Sequence, residues 1–490
     1  MSRTVDLIIR GGEVYDGTGA PPVRADVAVV GDRITDVGVL GDDVSAATVI
    51  DATGLAVTPG FIDVHAHDDA EVLIDPTIAC KTSQGVTTDV VGNCGLGIAP
   101  HATGAASFAE WAPGLDTVPP WDGFTGYVER LDTAPPGLNV AVLVGHGTVR
   151  SAVLGTAERA PTATELDRMR GLVDEGMAAG CVGLSTGLIY EPGRYADTDE
   201  IVALADVVAA AGGIYTTHMR NEADQLLESV AEAIEIGERA GLPVQISHHK
   251  ASGKANWGKV HESLAMIAAA RDRGVAVSVD QYPYTAGSTH LFAVVQNGAL
   301  DDGKGGIGKV EPGDVTVASA ADHPEWEGLN LDEIGELLAI SGRAAADAVL
   351  DGTRGRALVV LEMMSEADVR TVLAYEHTMI GSDGVPAPGK PHPRLWGTFP
   401  RVLGHYGRDE GVLTFADAVR RMTSLPAQTF GLTDRGVVRV GAFADLVVLD
   451  PATIADTATY RDPEQPSAGI HSVIVNGRTD GRAGRPLRRS

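Results

Sequence analysis

The sequence is poor in cysteine and has no long apolar run. Only three cysteines occur among its 490 residues, Cys80, Cys94 and Cys181, which are too few and too scattered for a disulfide framework. The opening MSRTVDLIIRGG leads straight into an alternating apolar strand without the pattern of a signal peptide. No stretch approaches the roughly 18 to 20 consecutive apolar residues that span a membrane. We therefore expect a cytoplasmic protein with no membrane segment.

Basic residues are also scarce, with 38 against 66 acidic ones, which gives a formal net charge of -28. A polyanion of this kind repels nucleic acid and anionic membrane surfaces. The expected partner is therefore a small molecule, and the oligomeric state is left open. If that molecule is an anion, its site needs local positive charge from a metal ion or from a few lysines and arginines.

The two ends of the chain are rich in valine and isoleucine and are interrupted by turn signals such as GG, DGTG and GD. Residues 1–59 and residues 435–490 read as short strands joined by tight turns. We predict that the two pieces form one small β-sandwich domain. Residues 60–434 are then a separate domain inserted between them.

In this middle region apolar strands alternate with amphipathic helices such as TATELDRMRGLVDEGMAAG. Eight strands in such an alternation predict an α/β fold of the (β/α)8 barrel type. The predicted strands cover residues 61–67, 87–93, 139–147, 181–190, 213–220, 243–250, 275–284 and 378–384.

One connection is too long for a single helix. Between about residues 287 and 350 it contains the Gly-rich polar stretch DDGKGGIGKVEPGD. We interpret it as an insertion over the barrel mouth that can serve as a lid. A disordered surface loop is the alternative.

Residues that can bind a metal follow five of the eight strands at the same end, where barrel enzymes place their active sites. Alone, FIDVHAHD is equally compatible with a polar strand end, but strand alternation lets both of its histidines face inward. The candidate ligands are His65, His67, Cys94, His218, His248 and Asp383.

Neighbouring histidines and the other thiols need separate assignments. His248 is preferred to His249 because it lies two residues from Lys250 and shares its inward direction, which leaves His249 as a packed residue or as a support for the ligands. Cys80 and Cys181 lack a comparable setting and are predicted to be buried, small apolar residues.

A thiolate combined with imidazoles favours zinc over magnesium or calcium. Cys94, His218 and His248 supply the three protein ligands of a catalytic zinc site with an open fourth position. His65 and His67 either hold a second ion together with Asp383 or shape the site while Asp383 transfers protons.

Several motifs occur in order along the chain: PGFIDVHAHDD, GNCG, THMRNE, SHHK, QYPYTAGST, GSDG and HPRLWGTFPR. Together they resemble the amidohydrolase superfamily, in its N-acyl-D-amino-acid deacylase (D-aminoacylase) family. The resemblance implies zinc-dependent hydrolysis of N-acyl-D-amino acids to a carboxylate and a free D-amino acid. It also implies one tightly bound zinc ion and a weaker second site.

The predicted fourth strand, CVGLSTGLIY, contains no lysine. Many amidohydrolases carry a carboxylated lysine there that bridges two metals, so its absence argues against the hydantoinase and dihydroorotase branches. Cys94 matches the cysteine that the deacylases use after the second strand.

The reaction assigns roles to the remaining residues. Asp383 is expected to take a proton from the attacking water and to pass it to the leaving nitrogen. By resemblance, Lys250, Tyr282 and Arg394 bind the substrate α-carboxylate, where an arginine can do so bidentately.

Arg220 and Glu222 flank His218 and are expected to orient it. The preference for D over L substrates comes from the resemblance alone. Two other functions stay open: an amidohydrolase acting on a cyclic amide or a dipeptide-like bond, and a catalytically inactive barrel that binds ligands.

Overall fold

A computed structural model describes residues 3–108 and 112–488 of the chain. Its strands, in chain order, are β1 (Arg3–Val14), β2 (Val23–Val30), β3 (Arg33–Gly38), β4 (Val44–Asp51), β5 (Ala56–Pro59), β6 (Phe61–Asp63), β7 (Val86–Val91), β8 (Asn139–Gly145), β9 (Gly183–Gly187), β10 (Ile214–His218), β11 (Val244–Ile246), β12 (Val277–Gln281), β13 (Ala286–His290), β14 (Val315–Ser319), β15 (Leu358–Glu362), β16 (Thr378–Ile380), β17 (Leu446–Leu449), β18 (Ile470–Ile474) and β19 (Pro486–Leu487).

The helices are α1 (Glu71–Ile74), α2 (Ala79–Thr82), α3 (His101–Phe108), α4 (Gly123–Thr133), α5 (His146–Leu154), α6 (Ala163–Ala178), α7 (Thr198–Ala210), α8 (Leu226–Ala240), α9 (Val260–Asp272), α10 (Leu291–Gln296), α11 (Leu331–Leu338), α12 (Gly342–Thr353), α13 (Glu366–Ala374), α14 (Arg394–Arg401), α15 (Phe415–Met422) and α16 (Ser424–Thr429). A π-helical segment, Val402–Asp409, follows α14. Short 3-10 turns occupy Leu115–Thr117, Gly193–Tyr195, Lys254–Asn256, Pro312–Asp314 and Pro324–Trp326.

Eight strands form the central barrel in the order β6-β7-β8-β9-β10-β11-β12-β16, and every neighbouring pair in this series is parallel. The first and last strands meet through a single parallel bridge between Ala66 and Gly384. The predicted (β/α)8 fold is confirmed, and all eight predicted barrel strands are present.

Local sequence explains where the barrel helices begin and end. The Thr162 side chain accepts a hydrogen bond from Glu165 N, and the Glu165 carboxylate accepts one from Thr162 N, so a capping box opens α6. Gly241 follows the last residue of α8, and its φ of 70° is the left-handed conformation that glycine adopts at low cost. These signals place compact helices between the strands.

Both ends of the chain contribute to a second, seven-stranded sheet in the order β18-β17-β5-β1-β2-β3, with β4 pairing beside β5 along β1. It has its own apolar core, in which Ile9 and Val27 from the N-terminal piece pack with Leu446 and Val448 from the C-terminal piece. The two chain ends therefore meet in one sheet.

The last strand does not lie in this sheet. Strand β19 pairs in parallel with β8 of the barrel, Pro486 opposite Val140 and Leu487 opposite Ala141. The C-terminal piece thus crosses from the terminal sheet to the barrel wall.

The long connection after β12 is folded. It carries a three-stranded sheet in the order β13-β15-β14 together with α10, α11 and α12. This inserted unit runs from Ala286 to Glu362 and so extends beyond the segment from 287 to 350 that the Gly-rich composition indicated. The three strands of this unit were not among those predicted from the sequence.

None of the helices in the described part of the chain has the length and apolar character needed to cross a lipid bilayer.

Candidate active site and metal centre

The structure brings all six candidate ligands to one end of the barrel, in two groups of side chains that share Cys94. The ligand atoms within each group lie within 4.8 Å of one another, and all six residues are buried. The first group contains Cys94, His218 and His248. The second contains His65, His67, Cys94 and Asp383.

The first group has the dimensions of a zinc site. Cys94 Sγ lies 3.8 Å from His218 Nδ1 and 3.6 Å from His248 Nε2. A tetrahedral zinc ion with bonds of about 2.3 Å to sulfur and about 2.0 Å to nitrogen separates these donors by about 3.6 Å. The three side chains therefore fit zinc as they stand and leave a fourth position open.

The electrostatics of this group favour the thiolate form. Burial raises the pKa of the Cys94 thiol, but the charge of His65 and the hydrogen bonds from His218 and His248 outweigh it and hold that pKa well below its usual range. The thiolate is the form of cysteine that binds metals.

The second group adjoins the first. His65 Nε2 lies 3.2 Å from Cys94 Sγ and 3.4 Å from Asp383 Oδ1. His67 Nε2 lies 3.1 Å from the same Asp383 oxygen. A cation here would meet two imidazoles and a carboxylate beside the shared thiolate.

Three of the six candidate ligands have a left-handed backbone conformation, with φ of 54° at Cys94, 35° at His248 and 49° at Asp383. Residues with a Cβ rarely adopt this region, and where they do the surrounding contacts must hold them there. Asp383 N donates to His65 O at 2.7 Å, and His248 N donates to Asp280 Oδ1 at 2.9 Å. The tertiary fold thus imposes the positions of these side chains.

Asp280, in β12, connects the two groups and was not singled out in the sequence. Its carboxylate lies 3.3 Å from His65 Nδ1 and accepts the His248 amide. A carboxylate on the far nitrogen of a ligand histidine orients the ring. The signal available in the sequence was an aspartate within the apolar strand VAVSVDQ.

Lys250 and Glu222 form an ion pair beside His248. Lys250 Nζ lies 2.7 Å from Glu222 Oε1 and 2.8 Å from both the carbonyl oxygen and Nδ1 of His248. The same Glu222 oxygen lies 2.9 Å from His248 Nδ1. The Lys250 ammonium lines the cavity, but Glu222 already balances its charge. Glu222 Oε2 also lies 3.8 Å from His218 Nε2, so this carboxylate faces both histidines of the first group.

Two neighbouring residues lie away from the ligands. Arg220 pairs with Glu232 at 2.9 Å and donates to the Ala196 carbonyl at 3.0 Å, so the expectation that it orients His218 was wrong. His249 Nε2 lies 2.7 Å from Ser263 Oγ, and His249 belongs to neither group of candidate ligands. Both residues lie beyond the end of β11, and the left-handed conformation of His248, with a φ of 35°, separates the directions of the two histidine side chains.

Tyr282 and Arg394 lie next to Asp383. The Arg394 guanidinium is 4.5 Å from the centre of the Tyr282 ring, and its Nη1 forms an ion pair with Asp383 Oδ2 at 2.9 Å, without the alignment of a hydrogen bond. Among the described residues, the Tyr282 hydroxyl and Arg394 Nε have no hydrogen-bond partner. Burial raises the pKa of Tyr282 well above its usual value, so its hydroxyl remains a donor.

The Asp383 carboxylate is ionised. Burial raises its pKa, but the positive charge of Arg394 and the contacts with His65 and His67 hold that pKa well below its usual range. An ionised carboxylate at this position can accept a proton.

A cavity of about 420 Å³ adjoins these groups, and its lining includes Cys94, His67, His218, His248, Asp383, Lys250 and Tyr282. The inserted unit supplies one wall of the cavity, with Ser288, Thr289, Phe292, Ile307 and Leu361. Met363, which directly follows the unit, also lines the cavity. Cys80 and Cys181 do not line it; burial raises the pKa of both thiols, that of Cys181 to about 12.

A (β/α)8 barrel with a buried sulfur and nitrogen donor set at the C-terminal ends of its strands defines a metal-dependent hydrolase class. The chain matches the amidohydrolase family over residues 48–479. It is 45% identical over 478 residues to a D-aminoacylase of Alcaligenes xylosoxydans xylosoxydans, covering 97% of this chain and 94% of that protein.

Two solved structures are similar over 99% of this chain and 100% of theirs. One is an N-acyl-D-glutamate deacylase from Bordetella bronchiseptica with zinc and a phosphonate inhibitor that mimics the tetrahedral intermediate, 40% identical with a TM-score of 0.90. The other is a D-aminoacylase with a binuclear metal centre, described by one-metal activation and second-metal attenuation, 43% identical with a TM-score of 0.89. This chain belongs to the amidohydrolase family, in its N-acyl-D-amino-acid deacylase branch.

Proposed function

We propose that this chain hydrolyses the amide bond of N-acyl-D-amino acids and releases a carboxylate and a free D-amino acid. The observation that carries the proposal is the zinc-sized set of Cys94, His218 and His248, with Asp383 beside it in a single cavity. The similar D-aminoacylase and the N-acyl-D-glutamate deacylase with its intermediate mimic support the substrate class.

The proposed cofactor is zinc, held tightly by Cys94, His218 and His248, with a weaker second site at His65, His67 and Asp383. A bound zinc ion supplies Lewis-acid chemistry, because it lowers the pKa of water toward about 7 and polarises a carbonyl. The zinc in one similar structure and the binuclear centre in the other support this assignment.

Asp383 is proposed as the proton-transfer residue. Its carboxylate takes the proton of the attacking water and delivers it to the leaving nitrogen. Arg394 and His67 contact its two oxygens, so they fix its orientation while leaving it ionised.

The substrate α-carboxylate is proposed to bind at Tyr282, Arg394 and Lys250. The Tyr282 hydroxyl and Arg394 Nε offer unused donors in the described structure, and a charged donor is the stronger kind of hydrogen-bond partner for a carboxylate. Lys250 contributes by exchanging part of its contact with Glu222 for the substrate. This local positive charge offsets the acidic surface of the protein.

The domain division is proposed as residues 1–59 with 435–490 in one β domain and residues 60–434 in the barrel. The shared sheet and its separate core support it, except at β19, which pairs with the barrel strand β8. The inserted unit is proposed to act as a lid over the cavity that it lines.

A cytoplasmic location is proposed from the three cysteines, all of them free and buried.

A chiral substrate panel with zinc-titrated enzyme tests the function. The panel contains N-acetyl-D-methionine, N-acetyl-D-glutamate, their L forms and a hydantoin. We expect turnover of D substrates that rises with zinc and little turnover of the L forms. Hydantoin hydrolysis would favour the cyclic-amide alternative, and zinc-loaded enzyme without any turnover would favour a binding protein.

A further inference from the structure

Lys81 lies in α2, outside the catalytic cavity, and its side chain is fully buried. Its Nζ donates to Asp63 Oδ2 at 2.6 Å and to Ser382 Oγ at 2.7 Å. Asp68 Oδ2 is 3.1 Å from the same ammonium. We call Lys81, Asp63 and Ser382 the Lys81 clip.

The clip joins the first and eighth barrel strands through their ligand-bearing ends. Asp63 closes β6, and its Oδ1 accepts the amides of His65 at 3.1 Å and Ser382 at 2.8 Å. Ser382 Oγ in turn accepts the Gly384 amide at 3.0 Å. Lys81 binds both the carboxylate and the hydroxyl, so it connects the His65 side to the Asp383 side.

This is the point where the barrel needs an additional connection. Strands β6 and β16 have no continuous ladder between them in the described structure; the bridge between Ala66 and Gly384 and the bond from Asp383 N to His65 O join them. Asp383 also has a φ of 49°, which its surroundings must maintain. The backbone amides of the residues on either side of Asp383 both donate to the clip, that of Ser382 to Asp63 and that of Gly384 to Ser382 Oγ.

The charge of Lys81 is needed for this arrangement. The carboxylates of Asp63, Asp68 and Asp89 surround it, and all three are buried. Without the ammonium, Asp63 would have no cation to balance it while it accepts the two ligand-strand amides.

We propose that Lys81 is a positioning residue that holds the Asp383 carboxylate in register with His65 and His67. It acts through Asp63 and Ser382 and touches neither substrate nor ligand. The inference rests on the proposed function for its effect on turnover, but its effect on metal binding is independent of the substrate.

Two clip variants, Lys81→Met and Ser382→Ala, test the proposal. Their matched controls are Lys254→Met, whose side chain is 69% exposed, and Ser83→Ala, whose hydroxyl has no partner in the described structure. Each full-length protein is stripped of metal and titrated with Co²⁺, following its visible spectrum beyond the first equivalent. Melting temperature, kcat and KM for N-acetyl-D-methionine complete the measurement.

We expect both clip variants to bind the second Co²⁺ equivalent about 10- to 100-fold more weakly and to change its spectrum, since loss of a group that orients ligands has effects of this size. In the same variants kcat falls about 10-fold or more while KM changes little. The controls match the wild type.

A purely structural role would lower the melting temperature and leave the Co²⁺ spectrum and kcat unchanged, which would overturn the proposal. If Lys81→Met does not fold, Ser382→Ala decides, because it removes a neutral hydroxyl and leaves the ion pair intact. A wild-type protein without deacylase activity would refute the proposed function, whereas the cobalt titration would still test the clip.

Discussion

At the scale of single residues, Cys94 is the donor shared by both ligand groups. A soft thiolate binds zinc far better than it binds magnesium or calcium. Because Cys94 lies between the two histidines of the first group, we proposed that group as the tighter metal site and the group with His65 and His67 as the weaker one.

Replacing this thiolate should remove the metal. Cys94→Ala is expected to lose most of the bound zinc, because two neutral imidazoles do not retain the ion as three ligands do. Elemental analysis of the purified variant gives the zinc content. Cys181→Ala is the matched control, since this buried thiol lies outside both groups, and a full equivalent of zinc in Cys94→Ala would refute the ligand assignment.

Removing the charge of Asp383 should separate catalysis from metal binding. Asp383→Asn keeps the shape of the side chain and is expected to retain tightly bound zinc, while kcat falls by about a hundredfold or more because no base accepts the proton of the water. Steady-state kinetics on zinc-quantified protein measures this. Wild-type kcat in the variant would exclude the proton-transfer role.

Arg394 should discriminate charged from neutral substrates. Arg394→Ala is expected to raise KM for N-acetyl-D-methionine about tenfold, because losing a hydrogen bond to a charged group weakens binding by about this factor. KM for the analogue whose α-carboxylate is replaced by an amide should stay nearly unchanged. Because Arg394 also pairs with Asp383, kcat should fall for both substrates. Arg401→Ala on the same helix, which pairs with Asp456, is the control. Equal KM changes for acid and amide would contradict carboxylate binding.

At the scale of elements, polar groups join segments whose ladders are interrupted. The terminal sheet has an example at Asp26 in β2. Its carboxylate accepts the Gly11 amide at 2.8 Å, Arg10 Nη1 at 2.9 Å and the Leu40 amide at 3.1 Å. It thereby anchors the bulge of β1 and the segment after β3.

This carboxylate should make the stability of the sheet depend on pH. Burial raises the pKa of Asp26, but the Gly11 and Leu40 amides and Arg10 lower it below its usual range. A folded-state pKa below the unfolded value stabilises the fold above about pH 4, and this contribution is lost as the pH falls through the folded-state pKa.

Asp26→Asn is therefore expected to lower the free energy of unfolding by about 1 kcal/mol at pH 7. The difference from the wild type should narrow as the pH falls below about 4. Urea unfolding of both proteins at pH 7 and at a pH below about 4 measures this difference in the free energy of unfolding. Asp42→Asn, at an exposed position, is the control. A difference that grows toward acid pH would contradict the assignment.

At the scale of the whole molecule, the proposed metal centre would connect strands from around the barrel at one point. Its candidate ligands lie at or just after the ends of β6, β7, β10, β11 and β16. A ligand that binds only the folded state stabilises it, by about 2.7 kcal/mol at a concentration 100 times its Kd.

Metal removal should therefore lower the melting temperature of the entire chain. We expect a clear decrease after chelation, full recovery with Zn²⁺ and little recovery with Mg²⁺, because the donors are thiolate and imidazole. Differential scanning calorimetry of stripped and reloaded protein provides the measurement. A melting temperature unaffected by stripping would argue against a metal that bridges these strands.

Much of this architecture was predictable because it depends on local patterns. Strand and helix alternation follows from the period of apolar residues, and ligands such as His65 and His67 follow from the strand-end rule for barrels. The extent of the inserted unit was not predictable because it depends on β13 pairing with the distant strand β15. The contacts of Arg220 were not predictable because they depend on how the segment after β10 packs against α8 and the Ala196 carbonyl.

By itself, the sequence determined the barrel, the donor types and the enzyme branch that its motifs resemble. Only the tertiary structure decided how Lys81 and Asp280 support the ligands and that β19 joins the barrel. Periodicity reports which face of an element is buried, whereas Lys81 and Ser382 are 301 positions apart and meet only when the barrel closes. Contacts of that kind depend on closure, and no local pattern encodes them.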